Sequence, residues 1–247
     1  MTCRWLANCD APKASSLQGA LLIERTLLSA TVEVQRPVLA FLSFAVPMKK
    51  VAGLILAAGK SERMGHPKAL LPFLGSCFLT HVLTEAVHSK LTEVKVVLGH
   101  HAKAILQALP EIEPKTLLNS DYEYGQLSSL QCGLKHLSSA GLDGVMVLLI
   151  DHPMVHRDLV NRLIATFTQN DSSIVIPSFE HRRGHPMIFG ADLFNELLAA
   201  PLDQGAVSVV RKHSHEILHL EVDEPGVLVD IDTPEDYEKH VVKLGKT

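Results

Sequence analysis

The stretch that most restricts how this chain can fold runs from Val51 to Lys68, VAGLILAAGKSERMGHPK. Its first half is a short apolar run, the pattern of a parallel strand buried on both faces. Its second half drops all periodicity and supplies Gly59, Gly65, two small alanines, a serine hydroxyl and several cations. Small residues at Ala57, Ala58 and Gly59 keep side chains away, so backbone N–H groups can approach an anion. Arg63 offers a planar fork for phosphate oxygens, and Lys68 a mobile point charge. Pro67 fixes φ just before that lysine. The loop reads as a wrap for a polyphosphate, against the plainer alternative of a solvated basic loop. It is neither G-x-x-x-x-G-K-[ST], because His66 and Pro67 follow Gly65, nor the G-x-G-x-x-G of dinucleotide-binding folds.

Downstream of Val51, apolar runs alternate with amphipathic stretches. Strands are expected at Ala52–Leu56, Val94–Leu98, Thr116–Leu118, Val145–Ile150 and Ser173–Ile176. Helices are expected at Phe78–Ser89, Lys103–Leu109, Leu127–Leu137 and Arg157–Thr168. This alternation predicts an α/β fold, a mostly parallel sheet with helices on both faces. Ligands of such sheets sit beyond the carboxyl ends of the strands, where the first loop and the loop after Ile150 would meet. With 247 residues, 47% of them hydrophobic, the chain can bury a full core.

Residues 1–47 read differently. They hold an apolar patch, Val38 to Val46, that is too short to span a bilayer and lacks the basic lead of a secretory signal. Met48-Lys49-Lys50 directly precedes the first strand. The expected organisation is therefore an N-terminal extension over 1–47, with Met48 as the natural start, and a catalytic domain over 48–247. The alternative is an N-terminal helix near Ser16 to Thr26. Net charge is −4 with both signs interspersed, so neither a nucleic-acid groove nor a membrane surface is indicated. Cys3, Cys9, Cys77 and Cys132 form no C-x-x-C pair, which fits a reducing cytoplasm.

Four further stretches carry chemistry. In Asn119 to Leu130, Gly125, Ser128 and Ser129 stand at a loop-to-helix transition, whose free N–H groups either face a ligand or simply receive a helix cap. Val145 to Pro153 is a buried strand delivering Asp151, a hard oxygen ligand, at its carboxyl end; the same aspartate could cap the next helix. In His181 to Phe189, Arg182, Arg183, Gly184 and His185 precede a strand, suiting an anionic acceptor or a solvated basic turn. Val227 to Tyr237 contains Thr233 as a helix N-cap, Pro234 at N1, then Glu235 and Asp236 at the positive end of the dipole. Capping leaves Asp230 and Asp232 unexplained.

Leu56-Ala57-Ala58-Gly59-x-Ser61-x-Arg63-Met64-Gly65-x-Pro67-Lys68 resembles the signature loop of the nucleotidyltransferases of the MobA-like NTP transferase family. Gly-His-Pro at 184–186 and Asp-Ile-Asp-Thr-Pro-Glu-Asp at 230–236 resemble its molybdenum cofactor cytidylyltransferase branch. The resemblance covers Val51 to about Val242 and implies a Rossmann-like nucleotidyltransferase fold. It implies that Leu56, Ala57, Ala58, Gly59, Ser61, Arg63 and Lys68 enclose a triphosphate. Ser128 and Ser129 would contact the nucleotide, Asp151 and Asp230 hold Mg²⁺, and Arg182, Arg183, Gly184 and His185 receive the acceptor. The implied catalytic set is Lys68, Arg63 and Asp151. Ala-Ala-Gly resembles the cytidylyl-transferring branch, whereas guanylyl-transferring relatives carry Ala-Gly-Gly. Val207 departs from the family's Asp-x-Gly-Ala-Arg, which removes an acceptor-side charge that Arg182, Arg183 or Arg211 would have to supply.

The implied reaction is transfer of CMP from CTP, or of another NMP from its NTP, to the phosphate of molybdopterin, with a molybdenum hydroxylase apoenzyme as a further partner. The rivals are NMP transfer to a sugar, alcohol or other cofactor phosphate, and a non-catalytic module that only delivers nucleotide or cofactor.

Overall fold

The computed structural model describes residues 47–137 and 141–243. Apart from Pro47, the expectations for residues 1–47 fall outside that range. The chain forms β1 (Val51–Ala57), β2 (Pro72–Phe73), β3 (Ser76–Cys77), α1 (Phe78–Val87), β4 (Glu93–Leu98), α2 (Ala102–Ala108) and β5 (Thr116–Leu118). It continues through α3 (Gln126–Leu137), β6 (Gly144–Leu149), α4 (Arg157–Gln169), β7 (Ile174–Phe179), β8 (Arg182–Arg183) and β9 (Met187–Gly190). It ends with α5 (Phe194–Ala199), α6 (Val207–Lys212), β10 (Ile217–Glu221) and α7 (Pro234–Tyr237). Every strand and helix expected from periodicity is present, with ends shifted by a few residues.

The main sheet runs β10-β7-β9-β6-β1-β4-β5, with β8 paired to β7. β1 lies between β4 and β6, parallel to both, so its carboxyl end sits at the centre of the ligand-binding edge. All seven of its residues are buried, because each face of the sheet is covered. Val51 and Ile55 join the layer of α1, α2 and α4 with Met146 and Leu148. Ala52, Leu54 and Leu56 join the opposite layer of α3, α5 and α6 with Val145 and Val147. The period of two thus persists although both faces are apolar.

The sheet departs from an all-parallel one at β9, which is antiparallel to both β6 and β7. β7 turns back through Glu180 and His181, both at positive φ (50° and 62°), into β8. Two central residues at positive φ give the twist that suits a tight hairpin. Neither residue is Gly, Asn or Asp, so the turn carried none of the usual sequence markers.

The stretch between β8 and β9 is pinned to the C-terminal segment. The Gly184 N–H donates to the Pro177 carbonyl at 2.8 Å, and the His185 N–H to the Val227 carbonyl at 2.9 Å. A Cβ on Gly184 would stand 2.6 Å from that Val227 oxygen, so the room left by this glycine is filled by the protein's own backbone. The chain then reaches Thr233, which caps α7 as expected. Its hydroxyl accepts from the Asp236 N–H at 3.2 Å, while Asp236 Oδ2 accepts from the Thr233 N–H at 2.9 Å.

Gly184→Ala should therefore force backbone apart, at a cost of about 1–3 kcal/mol. Urea denaturation of the variant should show that loss. An unchanged midpoint would mean that the 184–227 contact relaxes freely.

Candidate active site

A cleft of about 460 Å³ opens beyond the carboxyl ends of β1, β4 and β6. Its floor and one wall are the loop after β1. Leu56, Ala57, Ala58, Gly59, Ser61, Arg63 and Lys68 all line it. A Cβ on Gly59 would meet nothing within 4 Å, whereas one on Gly99 would stand 2.7 Å from the Ala58 carbonyl. The first glycine thus leaves the cleft open, and the second lets the β4 end press on the loop from behind. The loop is tied to itself: the Met64 and Gly65 N–H groups donate to the Ser61 carbonyl, each at 3.1 Å. Ser61 itself adopts a positive φ of 53°, and its hydroxyl accepts from the Lys68 N–H at 3.2 Å.

The Lys68 side chain is only 10% exposed, and a buried ammonium needs counter-charge. Asp151 Oδ2 lies 3.5 Å away, and Asp232 Oδ1 makes a direct contact. The other oxygen of Asp232 pairs with Arg63, whose side chain is 70% exposed at the mouth of the cleft. Asp232 therefore clamps both cations of the signature loop, a role that sequence reasoning missed. A signal was available: in an extended segment Asp230 and Asp232 share a face, and Ile231 between them is fully buried. The Ile231 N–H donates to the Asp151 carbonyl at 2.9 Å, which draws this segment onto the end of β6.

Asp151, His152 and Asp230 bring one possible ligand atom each within 4.8 Å of one another. Asp151 Oδ1 is buried without a hydrogen-bond partner among the described residues. Asp230 retains more surface, yet partial burial of its carboxyl, then the charges of Asp151 and Asp232, push it up to about 6. His152 is buried at the edge of this cluster, and burial pulls its imidazole below the usual range against the pull of Asp151. Its ring centroid is 4.8 Å from that of His185, which burial and the neighbouring His152 lower to about 4. Both imidazoles are therefore neutral near pH 7.

The opposite wall comes from the stretch between β5 and α3. Ser129 lines the cleft and Ser128 does not. Both hydroxyls are held by buried Asn119, whose Nδ2 donates to Ser128 Oγ at 2.9 Å and to Ser129 Oγ at 3.0 Å. Ser128 in turn donates to the Gly125 carbonyl at 2.8 Å, so its hydroxyl is committed to the helix entry. Tyr122 and Glu123 complete this wall. Glu123 pairs with Lys60 across the cleft at 3.2 Å, and that hydrogen-bonded carboxylate raises the lysine's pKa. Arg182 and Arg183 are exposed on β8 and do not line the cleft; nor does His185, whose ring packs against His152, the residue after cleft-lining Asp151.

Comparison with known proteins gives the context. Residues 53–217 match the MobA-like NTP transferase domain. The chain is 32% identical over 194 residues to the purine catabolism protein PucB of Bacillus subtilis, covering 75% of this chain and 93% of that protein. It is 29% identical over 198 residues to a nicotine blue oxidoreductase of Paenarthrobacter nicotinovorans, with the same coverage of each. A Bacillus cereus protein named as a molybdenum cofactor guanylyltransferase is 29% identical over 136 residues, 55% of this chain and 66% of that protein. Among solved structures, a manganese complex of Rv0371c from Mycobacterium tuberculosis superposes with a TM-score of 0.67 at 26% identity, covering 78% of this chain and 99% of that one. The chain belongs to the MobA-like NTP transferase family of nucleotidyltransferases.

Asn119→Ala would strip two buried hydroxyls of their donor and the Asp121 N–H of its acceptor, a 2.9 Å contact. The expected loss is about 1–3 kcal/mol in urea unfolding. Ser128→Ala should cost less, because Asn119 keeps Ser129.

Proposed function

We propose that this family member transfers CMP from CTP to the terminal phosphate of a molybdopterin-type cofactor and releases pyrophosphate, with Mg²⁺ as the metal and residues 48–247 as the catalytic unit. The observation that carries the reading is the pairing of buried Lys68 and exposed Arg63 through Asp232, beneath a glycine-bearing loop and beside a carboxylate cluster. Asp151, Asp230 and Asp232 bring three negative charges against two from Lys68 and Arg63. The side chains alone therefore suit a polyphosphate poorly, whereas a divalent cation held by Asp151 and Asp230 reverses the sign of the site. The unpartnered buried oxygen of Asp151 fits such a ligand role. When bound, Mg²⁺ would neutralise phosphate oxygens and favour departure of pyrophosphate.

The protein's own part is to bind and orient. Leu56 to Gly59 and Ser61 would cradle the triphosphate, with Ser129 and, through the helix entry, Ser128 on the nucleoside side. Lys68 and Arg63 would take up charge that grows on the leaving oxygens. An oxygen of the acceptor phosphate attacks the α-phosphorus, and the bond to the β-phosphate oxygen breaks. That phosphate already carries between one and two negative charges, with a second pKa of about 6, so no general base is required. His185 and Gly184 are proposed on the acceptor side. Arg182 and Arg183 would meet only the part of an acceptor that extends beyond the cleft.

Two alternatives rest on particular observations. The relative named as a guanylyltransferase makes GTP the rival donor. The relative named as an oxidoreductase makes chemistry other than nucleotidyl transfer the rival. Pyrophosphate release from each of the four NTPs in the presence of molybdopterin separates them: release with CTP is expected, and none with any NTP would overturn the transferase reading.

Lys68→Ala should lower turnover roughly 100- to 1,000-fold, as for loss of one preorganised electrostatic contact, with a smaller effect on CTP affinity. Lys60→Ala is the control, since Glu62 and Glu123 already pair with Lys60. Equal losses would reduce the loop to a region of general positive charge. Asp151→Asn, nearly isosteric, should abolish Mg²⁺-dependent pyrophosphate release while leaving the circular dichroism spectrum unchanged; wild-type activity at low Mg²⁺ would remove Asp151 from the metal site.

A further inference from the structure

The carboxylate cluster at the end of β6 has a nitrogen donor that the metal assignment above leaves unused. His152 follows Asp151 directly and is 92% buried, with 8% of its surface exposed. Its Nδ1 has no hydrogen-bond partner among the described residues, and neither does Oδ1 of Asp151 beside it. Buried polar atoms are nearly always satisfied, so these orphans, together with Nδ1 of His185 whose ring packs on His152, call for a partner that the described residues do not supply. One ring nitrogen of His152 and one oxygen each of Asp151 and Asp230 already lie within 4.8 Å of one another. Donors sharing a cation at about 2.0–2.2 Å stand about 3 Å apart in adjacent positions, a difference that side-chain rotation can close.

The backbone holds this arrangement from several sides. The His152 N–H donates to the Leu149 carbonyl at 3.1 Å, turning the chain sharply after β6. The Ile231 N–H donates to the Asp151 carbonyl at 2.9 Å, which brings Asp230 to the same place. The ring centroid of His185 lies 4.8 Å from that of His152. Lys68 is committed to Asp232 and Asp151, so no ion pair of Asp230 with a cation is found among the described residues.

We propose that His152 is the third protein ligand of the cation held by Asp151 and Asp230, forming a one-imidazole, two-carboxylate site that favours borderline transition-metal ions over Mg²⁺. Mg²⁺ takes oxygen ligands and dehydrates reluctantly, so an imidazole offers it little. Divalent ions later in the first transition row gain from nitrogen ligation. This deepens the metal assignment under the proposed function and rests on it, but it predicts a property that can be read without turnover.

The experiment uses the full chain with Mn²⁺ alone as probe, without nucleotide. Electron spin echo modulation of bound Mn²⁺ should show coupling to one imidazole nitrogen. His152→Gln, which supplies an oxygen donor instead, should remove that coupling and weaken binding of Zn²⁺, read by competition with Mn²⁺, about tenfold, while changing Mg²⁺ affinity, read the same way, less than twofold. Asp230→Asn should weaken both ions. His185→Gln should leave the nitrogen coupling in place, which excludes the neighbouring ring as its source.

Mn²⁺ bound without nitrogen coupling would overturn the ligand role of His152 and leave the transferase reading standing. Coupling that survives in His152→Gln would show binding at another histidine and overturn the proposal equally. Absence of specific Mn²⁺ binding would remove the site itself. Nitrogen coupling together with no pyrophosphate release from any NTP would instead reject the proposed function and keep the ligand assignment.

Discussion

The architecture at the ligand-binding edge depends on one requirement, the neutralisation of the Lys68 ammonium. It is almost fully enclosed, and an enclosed charge must find opposite charge close by. Its partners come from two distant parts of the chain, Asp151 after β6 and Asp232 before α7. The loop after β1, the central strand β6 and the C-terminal segment are thereby drawn to one point. The Thr233–Asp236 capping box fixes the start of α7 immediately after Asp232, so the carboxylate is presented from a short, restrained segment. Asp236 also lies 3.3 Å from the Asp232 N–H as acceptor, which ties the cap to the clamp.

This arrangement gives Asp232 the position of an internal anion. It spans the same two cations that a triphosphate would need, one oxygen on Lys68 and the other on Arg63. A polyphosphate entering the cleft competes with a carboxylate already in place, so part of its binding energy goes into displacing or rearranging that pair. Weak non-specific anions gain too little to do so. A ligand that carries several charges and arrives with a divalent cation would gain enough, because the cation would occupy the carboxylates as the phosphates take up Lys68 and Arg63. Under the proposed function, the clamp would favour a metal-bound polyphosphate over a simple anion before any base or acceptor is considered.

Much of this was legible in the chain, and what was not had a physical reason. β1, β4, β5 and β6 and the helices between them are signalled by apolar runs and amphipathic periods that the two-sided burial of the sheet makes strong. The loop from Ala57 to Lys68 is local in sequence and local in space, so its residues could be read together. The insertion of β9 antiparallel between β6 and β7 could not be read this way, since its turn residues, Glu180 and His181, are unconventional and its pairing is long-range. Asp232 escaped for a related cause. Helix capping accounted for the residues beside it, and its partners are 164 and 169 positions away in the sequence, a separation that no local pattern reports. Ser128 illustrates the reverse error of emphasis: its position at a helix entry was clear, but only the Asn119 network separates the committed hydroxyl of Ser128 from the cleft-lining residue Ser129.

The two cations of the signature loop are not equivalent, and burial decides how their work divides. The Lys68 side chain is one-tenth exposed and held by carboxylates on both sides, so its orientation is set before any ligand arrives. The Arg63 side chain is mostly exposed and held only through Asp232. A charge fixed in advance needs no reorganisation when charge develops on a reacting oxygen, which is where electrostatic stabilisation is most effective. A long, exposed guanidinium loses rotamer freedom whenever it closes on a ligand, which subtracts from what it contributes. Lys68 is therefore suited to the step in which charge shifts, and Arg63 to capture of the polyphosphate at the mouth. The loop shows the same asymmetry: Ser61, at positive φ, holds the Lys68 N–H through its hydroxyl, whereas Arg63 projects on an exposed side chain paired, among the described residues, only with Asp232.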